Sequence, residues 1–374
     1  MRILFVNHAF PGTFGALAAA FAAAGHEVLF ASGFRRRDFS LSGVRHVTLA
    51  PSKEGRAAGA SRHVPGLETA LSVGGQALRA FNRLGDMGFV PDMALLSAND
   101  GYGLFCAEAF PQAFCVGWAG APVSLPGAEV LGEVGFARHL LHCRYALCCH
   151  AFVCLGTGER SLFASRLSHG LDAPCTVNTD WFSPSAGTGP EVVLFHTGRQ
   201  GAQTVLPVVA GLLEARGRCH VAVLCEGHAA WESWSAAHAT LPHKARLHLP
   251  GTLALEEYRD LLRTAALLIC PNDGGLPASM LLEAMSSGVV PVLEAGTGPD
   301  FLQDGQNAMF FRGDGENRAA FLAALLEART PLAAAQAGAR ATVQAHFDSK
   351  TVTVQHVRLL LNAYEAWKAR EHRA

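Results

Sequence analysis

The sequence carries almost no net charge. Its 30 lysines and arginines balance 31 acidic residues, leaving −1 at pH 7, so nothing draws the chain as a whole to nucleic acid or anionic lipid. The local exceptions are Arg35-Arg36-Arg37 and a basic tail with Lys368, Arg370 and Arg373. Both read as solvated surface and leave room only for peripheral contact with a membrane. No apolar run approaches the roughly 18 residues of a membrane span, and no signal peptide precedes the first apolar strand. A cytoplasmic protein is expected. The 10 cysteines lack the spacing of a disulfide frame. Cys115, Cys154, Cys225 and Cys270 sit in apolar runs, as buried thiols of a reducing compartment do, and Cys148-Cys149-His150 lacks the paired spacing of a zinc site. The dinucleotide fingerprint G-x-G-x-x-G is also missing, which argues against a nicotinamide cofactor. Neither a metal nor a resident cofactor is expected.

What is there is apolar and periodic. Half of the 374 residues are hydrophobic and 16% are charged, enough core for two domains. Ile3 to Val6 reads as a strand, Asn7 to Gly12 as a turn and Thr13 to Ala24 as a helix, with Phe14, Leu17, Ala18 and Phe21 inward and Gly25 at its end. Val28 to Ala31 follows as a second strand, completing the opening unit of a doubly wound sheet. Gly12 in that first turn serves either tight packing or ligand contact. His8 beside it either meets a ligand or is satisfied by nearby backbone. Strands are also expected at Val44–Leu49, Met93–Ser97, Phe114–Gly117 and Val153–Gly156, and a helix over Gly66–Met87. Met93–Ser97 runs into Asn99-Asp100-Gly101-Tyr102-Gly103, a polar glycine loop at a strand's carboxyl end, where such folds keep their chemistry.

Pro, Gly, Ser and Thr gather between Asp180 and Pro190, which marks a linker, and the pattern then restarts. Val192–Phe195, Val221–Cys225 and Ala266–Cys270 are strands, with a helix ending near Ala215 and another over Glu256–Arg263. The expected fold class is α/β, with two facing Rossmann-like doubly wound domains over residues 1–182 and 183–348 and a ligand cleft between them. A C-terminal helix over 349–374 would bury Val357, Leu360, Leu361 and Tyr364.

The most informative stretch is Pro271 to Gly305. It reads as glycine turn, helix closed by Gly288, strand Val289–Leu293, and a second glycine loop, Gly296-Thr297-Gly298. Two strand ends then present backbone amides on one side of one sheet, a setting that suits a diphosphate. Glu283 interrupts the apolar run of the helix, lining up with Ser279, Ser286 and Ser287. It is either part of a solvated stripe or a receiver of ligand hydroxyls.

This stretch, with Leu281-Leu282-Glu283-Ala284-Met285, Val289-Val290-Pro291-Val292 and Asp304-Gly305-Gln306-Asn307, resembles the retaining glycosyltransferases of family 4, which have the GT-B fold. Asn7-His8-Ala9-Phe10-Pro11-Gly12-Thr13-Phe14 and the stretch Gly74 to Gly103 look like one subgroup of that family. The resemblance implies transfer of a sugar from a UDP- or GDP-linked donor to a glycan, lipid-linked or protein acceptor, with the anomeric configuration kept and no metal required. The first domain would take the acceptor and the second the donor. Arg199 matches the family's donor-binding arginine, and Glu226 stands at its acidic residue after the second strand of the donor domain. Glu283 matches the second of the family's two glutamates, which usually holds the ribose. Asp273 or the Gly274-Gly275 backbone would face the transferred sugar, and the Thr297 and Gly298 amides the diphosphate, with Leu276 and Gly12 completing the donor set. Asp273, Glu283, Asp100 and His8 are the residues to which catalysis is assigned. Gly275 occupies the position of the family's first glutamate, and no lysine lies between Gln200 and Ala215. Those departures keep two other readings open: a degenerate GT-B protein that binds within a glycosylation complex, and a nucleotide-sugar epimerase.

Overall fold

A computed structural model of the chain describes residues 1–35, 39–49, 65–119, 133–156, 169–185, 191–198, 202–225, 228–269, 277–312 and 315–371. The chain divides into two compact bodies, Met1–Cys175 with Thr351–Ala374, and Thr176–Lys350.

The first body is built on a seven-stranded sheet. Its strands are β1 (Arg2–Phe10), β2 (Glu27–Arg35), β3 (Val44–Thr48), β4 (Met93–Ser97), β5 (Phe114–Ala119), β6 (Ala151–Gly156) and β7 (Gly170–Pro174), in the order β3-β2-β1-β4-β5-β6-β7. All pair in parallel. Continuous apolar runs suit a sheet covered on both faces, and Ile3, Leu4, Phe5 and Val6 are fully buried. On one face Phe5 meets Phe14, Phe21 and Phe30 at ring distances of 5.5, 6.2 and 5.9 Å. Phe21 belongs to α1 (Gly15–Ala23), whose Leu17 and Ala18 are buried beside it. Each such ring contributes about 1.5–3 kcal/mol by leaving water. On the other face Leu4, Val6, Ala94 and Leu96 pack with Ala77 and Phe81 of α2 (Pro65–Asp86), Cys106 of α3 (Cys106–Ala109) and Tyr145 of α4 (Glu133–Cys148).

The second body repeats the same winding. Strands β8 (Glu191–Gly198), β9 (Cys219–Cys225), β10 (Leu247–His248), β11 (Ala265–Ile269), β12 (Val290–Glu294) and β13 (Met309–Phe311) lie in the order β10-β9-β8-β11-β12-β13. Its helices are α5 (Leu206–Ala215), α6 (His228–Thr240), α7 (Leu255–Thr264), α8 (Ala278–Ser286), α9 (Gly315–Glu327) and α10 (Arg329–His346). Val193, Phe195, Leu212, Trp234, Leu267 and Leu322 anchor its core. Arg216 closes the end of α5 with paired bonds of 3.0 and 2.9 Å to Glu191 and one of 2.8 Å to Glu327.

Two expectations are corrected here. The described part of the stretch read as a linker, residues 180–185, is not free, and residues 186–190 lie outside the described residues. Phe182 is buried, its carbonyl accepts from Ser286 at 2.5 Å, and the Ser183 carbonyl accepts from Arg263 at 3.0 Å. The first body accordingly ends at Cys175 rather than at residue 182. The last helix, α11 (Ser349–Glu371), joins that first body from Thr351 onward rather than standing apart. Its buried face is Val352, Thr353, His356, Leu360 and Tyr364, with Val357 and Leu361 only half-buried. His356 takes the place expected of an apolar residue because its Nε2 donates to the Pro174 carbonyl at 2.9 Å and its ring packs edge-on against Trp118 at 5.2 Å. Burial holds its pKa below the ordinary value.

Candidate functional site

In the second body the site is organised by α8. Its run Ala278-Ser279-Met280-Leu281-Leu282-Glu283-Ala284-Met285 favours helix throughout. The helix stops at Gly288, whose φ of +82° only glycine adopts cheaply. The Gly288 amide donates to Met285 and that of Val289 to Ala284, the paired bonds of a Schellman end. From Met280 to Leu293 every residue is buried except Glu283, which is half-buried. Ser286 and Ser287, its expected companions on a polar stripe, turn inward. Ser286 bonds the Phe182 carbonyl and Ser287 the Glu283 carbonyl at 2.9 Å. Glu283 is thus the single polar opening in this wall.

Its carboxylate meets one side chain among the described residues. The Tyr258 hydroxyl of α7 donates to Glu283 Oε2 at 3.0 Å. Burial pushes the Glu283 carboxyl up to about 7, with the Tyr258 bond pulling the other way. Burial, then the adjoining carboxylate, raise the Tyr258 phenol far above its ordinary value. Sequence gave no sign of this pair, because the partners are 25 positions apart on different helices. After β12, Thr297 gives both its amide and its hydroxyl to the Glu294 carbonyl, at 3.1 and 2.7 Å. These bonds belong to the turn itself. Gly298 follows at φ +89°, where a Cβ would stand 2.7 Å from Leu293 Cδ2. At the end of β8 the Thr197 hydroxyl is buried with no partner among the described residues.

In the first body β1 and β4 are neighbours from which the sheet winds in opposite directions, so their carboxyl ends form a topological switch point. Asp100 binds the two ends together. Its Oδ2 accepts the His8 amide at 3.1 Å and its Oδ1 the Tyr102 amide at 3.0 Å. Burial raises its pKa, and bonds from Ser97, Tyr102 and His8 oppose that rise. Its carbonyl accepts the Tyr145 hydroxyl at 2.9 Å. Asp100 is therefore a clasp between loops, while the exposed His8 ring is what the clasp displays. Beside it, exposed Asn99 has Oδ1 3.2 Å from Nε2 of buried His142, a contact that no local pattern in the sequence announced. Gly12 has φ +45° and a Cβ there would lie 2.2 Å from Asn7 Nδ2, so its want of a side chain serves the folding of the β1 loop onto Asn7.

The structure thus brings His8, Gly12 and Asp100 to one end of the first sheet. Glu283, Thr297 and Gly298 belong to the second body. Arg199, Glu226, Asp273, Gly274, Gly275 and Leu276 lie outside the described residues. In sequence Arg199 directly follows β8, and Asp273 comes shortly after β11. These are the two central strands of the second sheet. Among the described residues no group of three or more His, Cys, Asp or Glu could hold a metal ion, and no helix is long and apolar enough to cross a membrane.

A family model described as "Glycosyl transferases group 1" matches residues 192–329, and one described as "Glycosyl transferase family 4 group" matches residues 24–120. No curated protein matches in sequence. Among solved structures, sucrose-phosphate synthase from Thermosynechococcus elongatus superposes with a TM-score of 0.73 at 15% identity, over 98% of this chain and 100% of that one. HepE of Anabaena, in complex with UDP and glucose, does so at 0.68 and 13% identity, over 97% and 100%. A candidate UDP-N-acetylglucosamine 2-epimerase from Listeria monocytogenes gives 0.66 at 12% identity, over 98% and 97%.

Proposed function

Because the chain belongs to the family 4 group of GT-B glycosyltransferases, we propose that it moves a sugar from a nucleotide-sugar donor to a glycan, lipid-linked or protein acceptor with retention at the anomeric carbon. The observation that carries this reading is Glu283, the one polar opening in a buried wall that falls within the group 1 match. The second body takes the donor. Oε1 of Glu283, which has no partner among the described residues, receives donor hydroxyls. As the bond to the nucleoside diphosphate breaks, negative charge grows on its phosphates, and donors fixed in advance lower that barrier. Arg199 supplies a planar fork for this charge, and the Gly298 amide a further donor. No metal is needed in this scheme, and the nucleotide sugar, UDP- or GDP-linked, is a co-substrate. The first body takes the acceptor, with His8 displayed by Asp100 at the end of β1. The protein would act in the cytoplasm, where nucleotide sugars are at hand.

Thermal melts with UDP-, GDP- and CMP-sugars test the reading. At least one should raise the transition and be slowly hydrolysed; no shift from any at millimolar concentration would remove its support. Arg199→Ala should weaken donor binding about 10- to 100-fold, the scale of a lost bond to a charged group, with the fold intact by circular dichroism. A second reading, binding without turnover, is favoured by Gly275 at the first-glutamate position and by the missing lysine after Arg199. Donor binding with no transfer or hydrolysis would select it. Conversion of a donor to its isomer without acceptor would instead mark an epimerase.

A further inference from the structure

The Tyr258–Glu283 pair is more than a packing contact. Tyr258 is itself held from behind. Its ring meets Phe182 edge-on at 6.2 Å and 72°. The segment bearing Phe182 is fastened to the same helix by Arg263, which bonds the Ser183 carbonyl and hydroxyl at 3.0 and 3.1 Å and the Trp181 carbonyl at 3.3 Å. Arg259 of that helix lies over the Trp181 ring at 4.4 Å. These contacts hold the phenol, and among the described residues its hydroxyl has one acceptor, Glu283 Oε2. Among the described residues, the other charged groups on the adjoining helices point elsewhere. Arg340 of α10 is directed to the carbonyls of Ser286 and Phe182, Arg259 and Arg263 also face Asp260, and the Ser287 hydroxyl takes Glu283's carbonyl rather than its carboxylate.

Resting on the donor-binding reading above, we infer that Tyr258 is a positioning residue, which engages one oxygen of Glu283 so that the other is held outward as the acceptor for hydroxyls of the nucleotide sugar. A carboxylate accepts two such hydroxyls, whereas a carboxylic acid has only one good acceptor oxygen. Donor binding should then favour the ionised form and tighten as pH rises through the titration of Glu283, near 7. Binding should also release a proton in that range. Tyr258 lowers the pH at which this happens, since its hydrogen bond stabilises the carboxylate.

The test is calorimetric titration of the full chain with UDP-glucose and GDP-mannose between pH 5.5 and 8.5. The phosphates of these diesters do not titrate in that range, so a pH limb belongs to the protein. Wild type should bind about three- to tenfold more tightly on the alkaline side, the difference between hydrogen bonds to neutral and to charged acceptors. Tyr258→Phe keeps the ring against Phe182 and should move the midpoint of that limb upward. Glu283→Gln should flatten the limb. A merely structural tyrosine would weaken binding equally at every pH and leave the midpoint in place. That result, or a flat profile for a wild type that binds, overturns the inference while leaving donor binding standing. Absence of binding at any pH, by these and the wider nucleotide panel, would instead sink the donor-body reading, and the inference with it.

Discussion

At the scale of single residues, the burial of Glu283 ties its protonation to stability. Its carboxyl titrates at about 7 in the fold against an ordinary 4.5. The unfolded chain ionises first as pH rises. The stability supplied by the neutral carboxyl is therefore complete below 4.5 and lost as pH climbs through 7. Glu283→Gln should be as stable as wild type at pH 4.5 and more stable at pH 8, by up to about 2 kcal/mol once partial exposure is allowed for. Denaturant titrations at the two pH values check this. Burial raises Asp100 as well, but both of its oxygens accept amides. Asp100→Asn turns a donor toward one of those amides and should cost about 1–3 kcal/mol of stability in denaturant melts. A general base without this clasp role would lose rate at unchanged stability, so the pairing of the two measurements separates the roles.

At the scale of elements, helix ends repeat one solution. The α1 end at Gly25, like the α8 end at Gly288, carries a positive φ and the paired bonds of a Schellman motif. A Cβ on Gly25 would meet nothing within 4 Å, whereas one on Gly288 would lie 3.3 Å from Pro184 Cγ. Gly25→Ala should therefore cost only the left-handed backbone, about 1 kcal/mol, and Gly288→Ala more, as equilibrium denaturation would show. Both glycines were legible in the sequence because they end apolar runs. So was β4, an apolar run bounded by Pro91-Asp92 and a polar glycine loop. Elements without contrast were not legible. Helix α10 is alanine-rich, and β7 reads Gly-Leu-Asp-Ala-Pro. The inward face of α11 was misjudged because a histidine counts as polar until the Pro174 carbonyl that accepts from it is known. The candidate site divided in the same way. Glu283 stood out as a charge among apolar neighbours, but Tyr258 gains meaning only when the fold joins α7 to α8.

At the scale of the molecule, each body has a separate hydrophobic core. Calorimetry should resolve two unfolding transitions, and on the proposed function a bound nucleotide sugar should raise that of the second body. His356→Ala removes a buried ring and leaves the Pro174 carbonyl without its donor. It should lower the first body's transition by about 2–4 kcal/mol equivalent and leave the other in place.

The return of α11 also dictates an order of events on the ribosome. Residues of the second body are contiguous and complete at Lys350, whereas the first body awaits Thr351 and beyond. Until that last helix emerges, Trp118 and the Pro174 carbonyl have no His356 to cover them. The segment made first is therefore the last to finish folding, and a nascent chain stalled before Thr351 would hold a finished second body beside an unfinished first one.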